Sequence, residues 1–80
     1  MLVLGSDGAG SIRVRVTNPD AVPAQLDAFD VGGRQLATVH VDPRTDAELA
    51  LPFGTHHSGI GFVRFRCASS TIHRKVALVR

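Results

Sequence analysis

The sequence predicts an antiparallel β-sandwich of six or seven short strands, with a small β-barrel as the alternative. Three observations carry that expectation. Apolar and polar residues alternate with period two through most of the chain, turn chemistry recurs roughly every 8 to 12 residues, and no segment has a helical period. Eighty residues make one domain, whose folding buries only about 60 to 65% of the surface the unfolded chain exposes. The core is therefore thin, and Cys67, the single cysteine, has no partner in the chain with which to staple it.

The elements follow in order. Met1-Leu2-Val3-Leu4 is an apolar tetrapeptide followed by Gly5-Ser6-Asp7-Gly8-Ala9-Gly10, which reads as an N-terminal arm over residues 1–10 ahead of a single domain over 11–80. Either the chain's own sheet or a neighbouring molecule holds its apolar tip. Ile12, Val14 and Val16 share one strand face and Arg13 and Arg15 the other, until Asn18-Pro19-Asp20 ends the run. Ala24, Leu26 and Ala28 form a second apolar face, followed by Asp30-Val31-Gly32-Gly33, which supplies the positive φ of a tight hairpin. Leu36 to Val41, a turn at Asp42-Pro43-Arg44-Thr45, and the alternation of Ala47, Leu49 and Leu51 with Asp46, Glu48 and Ala50 give two more strands. The last two runs are Ile60 to Cys67 and Ile72 to Val79.

Centring the final hairpin on Ser69-Ser70 sets Cys67 opposite Ile72, Val63 opposite Val76, Arg66 opposite His73 and Arg64 opposite Lys75. Val63, Phe65, Cys67, Ile72, Val76 and Leu78 then share an apolar face. Arg74 is the misfit, expected near a sheet edge where its stem lies on the core and its head reaches water. Arg64, Arg66, His73 and Lys75 share the opposite face, which Arg13 and Arg15 would join if the first strand of the domain lay in the same sheet.

That sorting bears on chemistry. Cys67 and His73 point to opposite sides and cannot share a metal, and the consecutive His56-His57 lack the spacing of a zinc site. No metal and no cofactor is expected. Cys67 reads as a small, inert core thiol with a raised pKa. Ser58 lacks the glycine at position 56 and the strand-turn-helix setting of a nucleophile elbow. A small hydrolase using His57 and Ser58 is thus the weakest reading, and the chain is expected not to be an enzyme. Gly59-Ile60-Gly61 precedes a strand, not a helix, so it reads as a swing point rather than a phosphate cradle.

Charge is the remaining handle. The formal net charge is +2, and eight arginines accompany a single lysine, a residue type suited to planar anionic partners. A solvated outer face is the simplest reading of the arginines, and docking on an acidic protein surface is the leading functional one. Nucleic acid is the alternative, set back by the absence of Tyr and Trp and by the expectation that the core takes most of the phenylalanines. No apolar run approaches the ~20 residues of a membrane helix, and the N-terminus lacks the basic flank of a signal peptide, so a soluble, unprocessed chain is expected.

The strings "LDAFDVGGRQLATVHVDPRTDAELALPFG" and "GFVRFRCASSTIHRKVALVR" resemble the small immunoglobulin-like or fibronectin-like β-sandwich modules appended to larger assemblies. Asp30-Val31-Gly32-Gly33-Arg34 is similar to the D-x-x-G-R turn of bacterial secretion-tail and flagellar-hook-cap sandwiches, and Leu51-Pro52-Phe53-Gly54 to their L-P-x-G. A free-standing sandwich with an apolar arm also resembles the accessory proteins that phages and other viruses mount on capsids or tails. The resemblance implies a noncatalytic structural role: capsid or tail decoration by docking on a multisubunit assembly or by self-association. The surfaces expected to make contact are Met1, Leu2, Val3 and Leu4 on the arm, and Arg64, Arg66 and Lys75 on the basic face.

Overall fold

The computed structural model describes residues 1–54 and 59–78. Seven strands are present among them: β1 (Leu2–Ser6), β2 (Ser11–Thr17), β3 (Ala24–Asp30), β4 (Gln35–Val41), β5 (Asp46–Pro52), β6 (Gly59–Arg66) and β7 (Thr71–Leu78). They form two antiparallel sheets, ordered β1-β2-β5 and β4-β3-β6-β7. The sheets stay separate, so the protein is the expected antiparallel β-sandwich and not the alternative barrel.

Alternation drives the assembly. Every second residue of β2 and β3 turns inward, and Ile12, Val14, Val16, Ala24, Leu26 and Ala28 meet Val41, Leu51, Phe53, Val63, Phe65, Val76 and Leu78 in one buried core. Gly61 permits closure at one end of β6. A methyl group there would lie 2.7 Å from the Phe29 carbonyl oxygen and 2.9 Å from Leu78 Cδ1, so only a hydrogen fits.

Turns hold the register. The Asp30 to Arg34 hairpin forms as expected, with Gly33 at φ 88° donating its N–H to the Asp30 carbonyl at 3.0 Å. Buried Asn18 ties two crossovers together. Its Nδ2 donates to the carbonyls of Val22 (3.0 Å) and Asp42 (3.1 Å), and its Oδ1 accepts from Asp20 N–H (3.1 Å). The β2–β3 connection is thereby pinned to the β4–β5 turn.

Residues 1–10 take the first of the two options open to an apolar tip. Residues 2–6 are β1, paired to β2 with a bulge between Val3 and Gly5, and Asp7 to Gly10 is the hairpin loop. Asp7 organises that loop by accepting the N–H groups of Ala9 (2.8 Å) and Ser11 (3.1 Å). These two bonds hold its carboxyl below the usual carboxylate range. Met1 and Val3 pack on the core, while Leu2 and Leu4 are exposed.

The β6–β7 hairpin keeps the expected faces but not the expected partners. Arg66 faces Thr71, Arg64 faces His73, Phe62 faces Lys75 and Val63 faces Arg74. The loop is four residues, Cys67 to Ser70, closed by Cys67 N–H on the Ser70 carbonyl at 2.9 Å. Moving the turn centre by one residue, from Ser69-Ser70 to Ala68-Ser69, shifts each partner by two positions, which preserves which face a side chain takes. Cys67 heads the loop, half-buried against the core. Its thiol lies 3.5 Å from Ser69 Oγ and 3.4 Å from Ser70 Oγ, and those hydroxyls outweigh burial and lower its pKa, the opposite of the expected rise. Arg74, on the edge strand β7, folds its guanidinium back onto the His73 carbonyl at 2.8 Å.

Candidate functional site

The outer face of the four-stranded sheet is a grid set by register. One row crosses it as Thr38, Asp27, Arg64 and His73, and the next as His40, Gln25, Arg66 and Thr71. On the other side of Asp27 lie Phe29, Phe62 and Lys75, and beyond them Ile60 and Ala77. Side chains two apart on each strand share this face, so four chemically distinct rows stand side by side.

Asp27 sits at the centre with no exposed surface. It accepts from Gln25 Nε2 at 2.8 Å, from Thr38 Oγ1, and from Arg64 through Nε at 3.2 Å and Nη2 at 2.9 Å. Arg66 Nη2 stands 3.8 Å away. Burial pushes the Asp27 carboxyl up, but the hydrogen bonds from Gln25, Thr38 and Arg64, together with the Arg64 charge, outweigh it and leave the group below its ordinary value. The Arg64 guanidinium also lies over the Phe29 ring, 4.8 Å from its centroid. Its side chain is only 26% exposed, so most of its bonding capacity is spent inside the sheet.

The other basic side chains are freer. The Arg66 side chain is 45% exposed, and His73 and Lys75 lie open on the same face. Beside Lys75, Phe62 is 37% and Ile60 46% exposed. Ile60, Lys75, Val76 and Ala77 line a depression of about 350 Å³. Phe53 and Phe65 are in the core, but Phe29 and Phe62 are on this outer face, so the core takes half of the four phenylalanines and not most of them.

The structure divides the named residues between the two sheets. Arg13 and Arg15 belong to β2 in the other sheet, so they do not extend the patch of Arg64 and Arg66, and Arg15 is instead paired to Asp46 at 3.1 Å. Leu2 and Leu4 are also in that other sheet, so the arm residues and the arginine face are not one continuous surface. The basic residues of the outer face have a buried counter-charge among them in Asp27, which sequence reasoning left out. A carboxylate inside a strand, where Asp is disfavoured, was the available signal. His56, His57 and Ser58 lie outside the described residues, as do Val79 and Arg80. Among the described residues no three His, Cys, Asp or Glu side chains gather as a metal site would require.

What this arrangement can do chemically is bind. It offers exposed cations and apolar side chains fixed on a rigid sheet, with its one central carboxylate sealed beneath Arg64. No protein-family model, no curated protein and no solved structure matches the chain.

Proposed function

We propose that the chain is a noncatalytic interaction module that docks on an acidic protein surface of a larger assembly through the outer face of its four-stranded sheet. The observation that carries this reading is the charge arrangement around Asp27. That carboxylate is buried and engaged by Arg64, so Arg66 and Lys75 keep positive charge available beside exposed Ile60 and Phe62. Apolar anchors bordered by arginine are the composition of an interface centre, and Asp27 fixes the arginine fork in place before any partner arrives. Decoration of a viral capsid or tail is the concrete form of the role. Nucleic acid suits the face less well, because Arg64 covers one side of Phe29, which leaves Phe62 as the one exposed ring among the described residues of this face on which a base can stack.

Native mass spectrometry of the tagged chain recovered from its source cells tests this. The expected result is a protein partner that stays bound to the wild type and is lost from a double variant, Arg66→Glu with Lys75→Glu. A partner retained by that variant overturns the reading. So does a complex that nuclease dissolves. Loss caused instead by Leu2→Asp with Leu4→Asp moves the contact to the three-stranded sheet.

A further inference from the structure

We infer that the depression between Ile60 and Ala77 is the anchor point of this docking surface, and that its occupant is an extended acidic segment presenting, on alternate residues, one apolar side chain and then carboxylates. The inference rests on the docking role above and assigns the partner's chemistry.

Register supplies the reasoning. Ala77 stands opposite Ile60, so a small side chain forms the floor where its neighbours form walls: Ile60 on one side and the methylene stem of Lys75 on the other. The volume of about 350 Å³ is at the low end of ligand sites, roughly 300 to 1,000 Å³. That is room for one large apolar side chain and not for a folded element.

From that anchor the rows advance along β6 and β7 in steps of two residues, about 6.6 Å each. The next row holds Phe62 and Lys75, the one after it Arg64 and His73, and the last Arg66 and Thr71. A cation therefore recurs at every second residue beyond the apolar row. An extended peptide repeats its side chains on one face with the same step, so an apolar residue seated beside Ala77 brings its following alternate residues over Lys75, then Arg64, then Arg66. Carboxylates over Lys75 and Arg66 meet exposed charge, and the one between them meets the edge of the Arg64 guanidinium that Asp27 holds in place.

The edge of β7 is occupied in a way that favours its face. The His73 carbonyl accepts from Arg74 Nη1 at 2.8 Å and the Ala77 carbonyl from Ser6 Oγ at 2.6 Å. A partner strand adding to that edge would have to break both bonds, whereas one lying across the side chains breaks neither.

The test uses the full chain and synthetic probes. One peptide alternates Thr with a single Leu followed by three Glu; a second carries Gln for Glu, a third Ala for Leu, and the fourth probe is an oligothymidylate. Backbone amide shifts of the labelled protein report where each binds. The acidic Leu peptide is expected to move resonances of β6 and β7, centred on Ile60, Lys75 and Ala77. Its affinity should fall about tenfold on replacing Leu by Ala, and by a similar factor on replacing Glu by Gln or raising salt to 1 M. Lys75→Glu and Ile60→Asp, both at exposed positions, should weaken it by the same order while leaving the spectrum dispersed. Absence of shifts at millimolar peptide, shifts away from β6 and β7, equal binding of the Gln peptide, or preference for the oligonucleotide each overturns the inference. If the peptide fails while Arg66→Glu with Lys75→Glu still releases the native protein partner, the anchor assignment falls alone; if that partner is also retained, the docking role falls with it.

Discussion

The two outer faces of the sandwich both carry arginines, and they use them differently. On the three-stranded sheet, Arg15 reaches Asp46 at 3.1 Å and stands opposite Glu48, with both members of the ion pair more than half exposed. Charge there is locally matched and bathed in water. On the four-stranded sheet the carboxylate is buried, Arg64 is locked onto it, Arg66 stands 3.8 Å off with its side chain 45% exposed, and Lys75 lies open beside apolar surface. Matched charge at high dielectric gives solubility and little else, whereas cations held over a dry carboxylate form a rigid surface with charge to spare. Composition counts all of these arginines alike; the sheet each belongs to decides their role.

That contrast can be broken from its strongest side first. Arg64→Ala leaves the Asp27 carboxylate buried without its principal counter-charge, and denaturant unfolding should register a loss of about 3 kcal/mol. A loss under about 1 kcal/mol would mean that the two faces do not differ in the way described. Acid titration is the next largest effect. Because the folded-state pKa of Asp27 lies below its unfolded value of about 3.9, its contribution is complete above that value and is lost as the pH falls through the folded one. Below about pH 4, wild-type stability should therefore drop more steeply than that of Asp27→Asn, which cannot titrate; parallel curves would remove the linkage. The smallest effect is expected on the other face, where Arg15→Ala should change stability by no more than about 0.5 kcal/mol, and a larger change would show that Arg15 is more than a solvated partner of Asp46.

Much of this fold was legible because alternation is a local property. Ile12, Val14 and Val16, or Val63 and Phe65, reveal their inward face with no knowledge of the neighbouring strand. β1 escaped notice as a strand because Met1-Leu2-Val3-Leu4 is uninterrupted apolar sequence, and the bulge before Gly5 breaks any period of two. The final hairpin kept its faces and lost its register, since Ala68-Ser69-Ser70 suits a turn centred on either dipeptide and the chain closes about Ala68-Ser69. Sheet membership is a non-local fact. Nothing in Arg13-Val14-Arg15 announces β5 as its neighbour, and nothing around Asp27 announces Thr38 and Arg64, which pair with it from 11 and 37 residues away. The candidate site was half visible for that reason: its cations could be grouped within one hairpin, while the carboxylate that organises them and the exposed Ile60 and Phe62 depend on the whole sheet.

The order β4-β3-β6-β7 has a consequence for how the chain is made. β3, a central strand, is synthesised early but obtains one of its two neighbours only when β6 arrives, and the Ser6 to Ala77 bond spans 71 positions. On a ribosome, residues 24–41 would emerge as a hairpin with one side unpaired and its apolar face uncovered, and would stay so until residues 59–78 had cleared the exit tunnel. During that interval the nascent chain presents an open strand edge, and the protection it needs is from other unfinished chains.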